Sequence, residues 1–434
     1  MSGVKRGSSR PFAALLTGAV ASRLGTELSG IALAWLVMQL TGSTLAMGSV
    51  AAAADIPAVA LLMLGGVMAD RVSRTGLLMR VGTAQALVGA VLAALVAAHA
   101  VNFAGLLVLS ATAGGLSALY GPTLGALKLF VLPPQPAGQY QKALALWEGV
   151  SQTASLLGPL VGGVVVAVAG VATAFWVDAL SFLGPAGAGW VLARARAAAP
   201  PPAAEPGRVS WRASMAQGIG FLRGEPGMLE MIGLFGLTNG LNDVLVVLAP
   251  FRIRSGLHQS AAVYGLILAA FGLGAVGAAA AWTRWGSQVS QRMLWICGGV
   301  ASLGAAIFAL ALVSSPVELA LAMAVGGAGF ITAEILSQAL WAHVVPDAVR
   351  GRVLSVASTI AKSANPLGYM LAGVLGALLG PAHGLMIGGA AIVVACAGGY
   401  ALASLRALDT RIPASGGAPS GVSVTPAGPP PGAN

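Results

Sequence analysis

The chain has 434 residues, of which 57% are hydrophobic and only 8% charged, with a formal net charge of +10. That balance excludes an ordinary soluble domain, where charged residues make up about 25%. The basic residues are spread along the chain rather than clustered with aromatics, which argues against a nucleic-acid partner; anionic lipid headgroups are the counter-charge they suit.

Twelve apolar stretches lie near 12–40, 45–69, 77–98, 103–132, 143–169, 172–192, 228–251, 261–283, 293–313, 317–343, 353–379 and 382–405. Crossing ~30 Å of hydrocarbon takes about 20 predominantly apolar residues in a helix, and most of these runs are longer. An all-α integral membrane protein with twelve transmembrane helices is therefore expected. Basic residues fill alternate connections, with nineteen of the 23 Lys and Arg on one side. Only Arg252 and Arg254 lie opposite, and Arg23 and Lys362 sit inside spans. The positive-inside rule then places both termini in the cytoplasm of a multi-pass protein. The first run continues to residue 40 without a cleavage site, so a retained helix is expected rather than a signal peptide.

Along the chain, ionisable residues inside spans are the first candidates for function, because a charge at the bilayer centre costs roughly 2.5–3.5 kcal/mol on insertion scales. Span 1 holds Arg23 and Glu27, four apart on one helical face, where they can neutralise each other or leave Glu27 to a proton or a cationic substrate. Span 2 holds Asp55, just before Pro57, and leads into the loop GGVMADRVSRT with Gly66, Asp70, Arg71 and Arg74. In span 5 the segment LLGPLVGG contains Gly158, Pro159, Gly162 and Gly163; small residues there allow close helix approach. Asp178 follows in span 6.

Residues 193–227 interrupt the spans six and six: a Pro/Ala-rich linker precedes a stretch in which Trp211, Met215, Ile219 and Leu222 recur at helical spacing. This predicts an amphipathic helix, either on the membrane surface or packed on its own protein. The second half brings Asn239, Asn242 and Asp243 in span 7, Glu334 in span 10, Arg350 and Arg352 in PDAVRGRV, and Lys362 in span 11. Trp35, Tyr120, Trp147, Trp176, Phe235, Phe271, Phe330, Trp341 and Tyr369 are candidates for cavity walls or for helix packing. The chain thus divides into 1–192, a linker at 193–227, 228–405, and a disordered tail at 406–434. Echoes between the halves, VLPPQPAGQYQKALAL against VVPDAVRGRVLSV, suggest a duplicated six-span unit. The four histidines are scattered with no H-E-x-x-H pattern, and neither cysteine belongs to a metal or redox motif, so an enzyme is not expected.

The loop GGVMADRVSRT resembles the G-x-x-x-D-R-x-G-R motif of the major facilitator superfamily, with Ser73 in place of the usual glycine. GPLVGG looks like that superfamily's antiporter motif. PDAVRGRV, together with Gly218, Phe221, Leu222, Arg223 and Pro226, resembles the subgroup of drug, siderophore and macrolide exporters. The resemblance spans roughly residues 12–410 and implies two pseudo-symmetric six-helix halves. The stretch LLVLSATAGGLSALYG of span 4 carries no charge, so the arginine found there in many proton-coupled exporters is missing. The resemblance implies that Asp70 and Arg74 lock the halves on the inner side; the Asp70 carboxylate can pair with an arginine such as Arg350 or Arg352, or cap a helix start.

These readings point to a monomeric secondary transporter of the bacterial plasma membrane. It is expected to export a small amphipathic molecule by alternating access, in exchange for protons and without a cofactor. Glu27 and Glu334 are the leading proton carriers. An uncoupled facilitator or importer, or a carrier of lipid-like molecules, is the alternative.

Overall fold

The computed structural model describes residues 9–71, 73–131, 137–196, 211–285, 289 and 291–411. Among these there is no strand. The helices in order are α1 (Ser9–Thr41), α2 (Thr44–Arg71), α3 (Arg74–Ala97), α4 (Phe103–Val131), α5 (Ala137–Ser181), α6 (Leu183–Arg196) and α7 (Trp211–Arg223). They continue as α8 (Pro226–Phe251), α9 (Ala261–Trp285), α10 (Arg292–Leu312), α11 (Pro316–Val344), α12 (Asp347–Ser363), α13 (Asn365–Leu379), α14 (Pro381–Ala401) and α15 (Ala403–Ala407). Proline opens α8, α11, α13 and α14, where its missing N–H costs nothing.

By length and hydropathy alone, ten stretches among the described residues can cross a membrane, and one of them, Lys142–Arg194, has 53 residues. At 1.5 Å per residue it would extend roughly 80 Å, so it must double back. It does so at Gly170, whose φ of 84° is open to glycine and strained for other residues. Span 11 provides the remaining crossing. The single helix expected over 353–379 is two helices meeting at Ala364, because Pro366 offers no N–H to the carbonyl of Lys362. Span 6 is likewise interrupted at Phe182, just ahead of Pro185.

The duplication is visible in the packing. A Cβ on Gly114 of α4 would stand 1.8 Å from the Ala54 carbonyl oxygen of α2, and one on Gly327 of α11 would stand 1.9 Å from that of Phe271 on α9. The same helix pair in each half is thus held at backbone contact by a glycine at the same place.

Among the described residues, the two halves pack together toward one end. There Trp35 of α1 stacks on Tyr264 of α9 with centroids 5.7 Å apart, and the Thr44 hydroxyl donates to the Gly373 carbonyl at 3.0 Å. One apolar core joins both halves here and extends through the second half to Leu222 and Leu408 at the other end. Toward the other end, Leu15, Leu78, Leu127, Trp147 and Leu192 form a second core made of first-half residues alone. Connections at the sealed end are short: Gly42 and Ser43 between α1 and α2, the turn at Gly170 and Gly380 between α13 and α14 are the tightest, and 252–260 between α8 and α9 is the longest.

Helix α7 takes the packed alternative of the two sequence readings. Leu222 is fully buried, Met215, Ile219 and Phe221 lie against the core, and Gly218 sits over Arg352 and Val356 of α12. Residues 406–411, expected to belong to a disordered tail, are helical instead. They complete α15 and a 3-10 turn; Leu408 is buried and the Asp409 carboxylate accepts from the Met293 N–H at 2.9 Å, capping α10.

Candidate functional site

The second half encloses a cavity of about 270 Å³ between α8, α10, α11, α12 and α14. Periodicity explains its lining. Glu334, Ser337, Gln338 and Trp341 recur at three- and four-residue spacing on α11, as do Leu354, Ala357, Ser358, Ala361 and Lys362 on α12. Helix α8 contributes Phe235, Thr238, Asn239 and Asn242. The remaining walls are apolar: Val300 and Leu303 of α10, Phe330 of α11 and Ile392 of α14. An acid, a cation, amides, hydroxyls and aromatic rings therefore converge on one apolar chamber, the composition of a pocket for an amphipathic organic molecule. Glu334 accepts from the Gln338 amide at 2.9 Å. Four expected residues, Glu334, Lys362, Asn239 and Asn242, are brought together here. Ser337, Gln338 and Ser358 were not singled out in the sequence, although their spacing from Glu334 and Lys362 carries the signal.

A second polar group lies in the first half. Arg23 and Glu27 form an ion pair at 2.9 Å, and the Arg23 Nε donates to the Ser155 hydroxyl of α5 at 2.7 Å. The Arg23 side chain is still 55% exposed. Glu27 is seated on Gly158: a Cβ there would lie 2.4 Å from the Glu27 Cβ. Asp178 faces the Ser29 side chain, and its Oδ1 is buried with no hydrogen-bond partner among the described residues.

The antiporter-like motif has two faces. Gly158 and Gly162 admit α1, at Glu27 and Leu28. Gly163 instead meets Ala261 and Gly265 of α9, and the Pro159 carbonyl would be 2.4 Å from a Cβ on Gly265. The motif thus forms part of the seal between the halves.

A third group sits where α2 meets the second half. Asp243 of α8 is 4% exposed, packs its Oδ2 against Gly368 of α13, and lies near the Tyr369 side chain. Asp55 lies within Coulombic reach of both Asp243 and Lys362.

Of the loop motif, the side chains of Gly66, Asp70 and Arg71 lie outside the described residues, and so does their expected pairing. Arg74 stands at the start of α3. Arg350 donates to the carbonyls of Ala342, at 2.7 Å, and Val345, at 3.1 Å, closing the end of α11. Arg352 donates to the Gln217 side chain of α7. Among the expected cavity aromatics, Phe235, Phe330 and Trp341 line the cavity; Trp35 belongs to the seal, Tyr120 bonds Ser22 at 2.7 Å, and Trp147 contacts Phe12. Trp176 is 41% exposed on α5.

Comparison with known proteins agrees with this architecture. The family described as "Transmembrane secretion effector" matches residues 7–416. "Multidrug efflux pump Tap" of Mycolicibacterium fortuitum is 28% identical over 384 residues, covering 86% of this chain and 90% of that protein. "Enterobactin exporter EntS" of Citrobacter koseri is 27% identical over 390 residues, covering 88% and 89%. Among solved structures, a bacterial homologue of the lysosomal transporter Spinster, in an inward-facing and unoccupied conformation, superposes with a TM-score of 0.70 at 14% identity, covering 94% of this chain and 98% of that one. The chain is a transporter rather than an enzyme, and it belongs to the major facilitator superfamily, in its transmembrane secretion effector family.

Proposed function

We propose that this protein exports a small amphipathic organic molecule across the bacterial plasma membrane, driven by inward proton movement. The observation that carries this reading is the cavity in which Glu334, Lys362 and two asparagines share walls with Phe235, Phe330 and Trp341. The names of its relatives, a multidrug pump and a siderophore exporter, support the outward direction.

In the proposed mechanism the halves 1–192 and 228–405, joined by the linker at 193–227, rock about a midplane site. The distribution of Lys and Arg favours cytoplasmic termini. The open end then faces the cytoplasm, where the cavity collects its substrate. Aromatic and aliphatic walls hold the apolar body of the molecule, while Glu334 and the amides orient its polar group. Membrane carboxyl groups, with Glu27 and Glu334 as leading candidates, change surroundings between the two states and so load and release protons. The cycle needs one chain and no cofactor.

The test is ethidium accumulation in cells stripped of their own efflux pumps. Expression of this protein should lower accumulation, and collapsing the proton gradient should abolish the difference. Lower accumulation that survives collapse would remove proton coupling. Higher accumulation on expression would reverse the direction in favour of uptake.

A further inference from the structure

The group around Asp55 is built from both halves, and its register is readable. Helices α2 and α13 run antiparallel: a Cβ on Gly48 would stand 2.3 Å from the Tyr369 carbonyl oxygen, and Thr44 bonds Gly373. Seven residues are two helical turns. Moving two turns along α2 from Gly48 reaches Asp55, and seven residues back from Tyr369, across the junction at Ala364, lies Lys362, consistent with their electrostatic contact. Helices α8 and α12–α13 run parallel, with Gly236 against Ala361, Gly240 against Ala364 and Asp243 against Gly368. Asp55 therefore comes from the first half, and Asp243, Lys362 and Tyr369 from the second.

Two buried carboxyl oxygens in electrostatic contact across the joint are unfavourable when both groups are ionised. Asp243 Oδ2 and Asp55 Oδ2 are both buried without a hydrogen-bond partner among the described residues, which leaves each an acceptor with nothing to accept. One proton between them, with Lys362 as the remaining counter-charge, makes the joint neutral. Lys362 also lines the cavity, and so does Asn242, the neighbour of Asp243.

Resting on the exporter reading above, we propose that Asp55 and Asp243 share one exchangeable proton at the joint between the halves. Lys362, bordering both joint and cavity, makes that proton and a cationic substrate mutually exclusive. The facing groups are few: Asp55 on α2, Asp243 on α8, Glu334 on α11, Lys362 on α12 and Tyr369 on α13, with apolar walls from α10 and α14. The Arg23–Glu27 pair of α1 cancels itself. Fully ionised, cavity and joint carry a surplus of negative charge that either a proton or a cation can satisfy. An anionic substrate would bind together with the proton rather than in exchange for it, so the electrostatics select a cationic amphiphile.

The test uses the full-length protein purified in detergent, with ethidium as the probe. Binding is followed by fluorescence between about pH 5 and 9, and released protons are counted with a pH dye in weak buffer. Wild type should release close to one proton per ethidium, with affinity rising by up to about tenfold per pH unit. Asp55→Asn and Asp243→Asn should still bind ethidium, which shows that they fold, but release no proton and lose the pH dependence. Lys362→Gln keeps both carboxyl groups and should move the pH dependence to higher pH; it decides the matter if an asparagine variant fails to bind. Proton release that persists undiminished in both asparagine variants, or a Lys362→Gln profile that does not move, would overturn the joint while leaving proton-driven export standing. Wild type that binds ethidium without releasing protons would instead bring down the antiport reading itself. Wild type that binds no ethidium would overturn the cationic class.

Discussion

At position 158 the absence of a side chain decides how closely α1 and α5 can run, since a Cβ there would meet the Glu27 side chain at 2.4 Å. Gly158→Val should push the helices apart and destabilise the protein by roughly 1–3 kcal/mol, seen as a lower thermal midpoint in detergent. Gly220 of α7, with open space around its Cβ position, is the matched control and should tolerate alanine. The sequence shows Gly158 as a small residue in a G-x-x-x-G pair, but the residue it admits stands 131 positions earlier. Asp243 shows the same division. Its presence in a span marks it as costly, yet the Tyr369 side chain and the Gly368 backbone beside it come from another helix, and nothing in the local pattern points to them.

At the scale of elements, α7 and the residues after α14 are clasps on the second half. Docking of α7 depends on Gly218, where a Cβ would already lie 2.9 Å from the Val356 side chain. Gly218→Val should lift α7 and speed tryptic cleavage at the exposed Arg223, measured by digestion time course. The amphipathic period of α7 is legible in sequence. Its choice of α12 over the lipid surface is not, because an apolar face fits either. The second clasp is Asp409, whose carboxyl is held above the usual carboxylate range by burial, against the opposing Met293 N–H and the Arg292 charge. A raised folded-state value means that the folded protein binds the proton more tightly than the unfolded chain. This contribution to stability is present at low pH and is lost as pH rises from about 4. The thermal midpoint of wild type should therefore fall relative to Asp409→Asn as pH increases through that interval, in melts at a series of pH values. A tail rich in Pro and Gly hid this element, because its few apolar residues, Leu405 and Leu408, gain their meaning only from the pocket they fill.

For the whole molecule, the contact at one end is what the proposed alternating access would have to break. The Thr44 Cβ would be 2.8 Å from a Cβ on Gly376, across the joint between α2 and α13. A disulfide needs these atoms about 3.8 Å apart, a small adjustment. Thr44→Cys with Gly376→Cys should close under oxidation, stop ethidium efflux, and recover under reductant; the native Cys297 and Cys396 are buried and provide little background. Efflux that continues with the bridge formed would mean that this end never opens. The twelve crossings were legible because hydrophobic length is a local property. Which end is sealed was not, since small residues line α2, α5, α9 and α13 throughout and only their pairing distinguishes the ends. The turns at Gly42–Ser43, Gly170 and Gly380 have one more consequence. At these three turns almost no chain projects beyond the helices, so an epitope on that face is confined to the longer connection 252–260 and its neighbours, and binders raised against the folded protein should recognise mainly the opposite face.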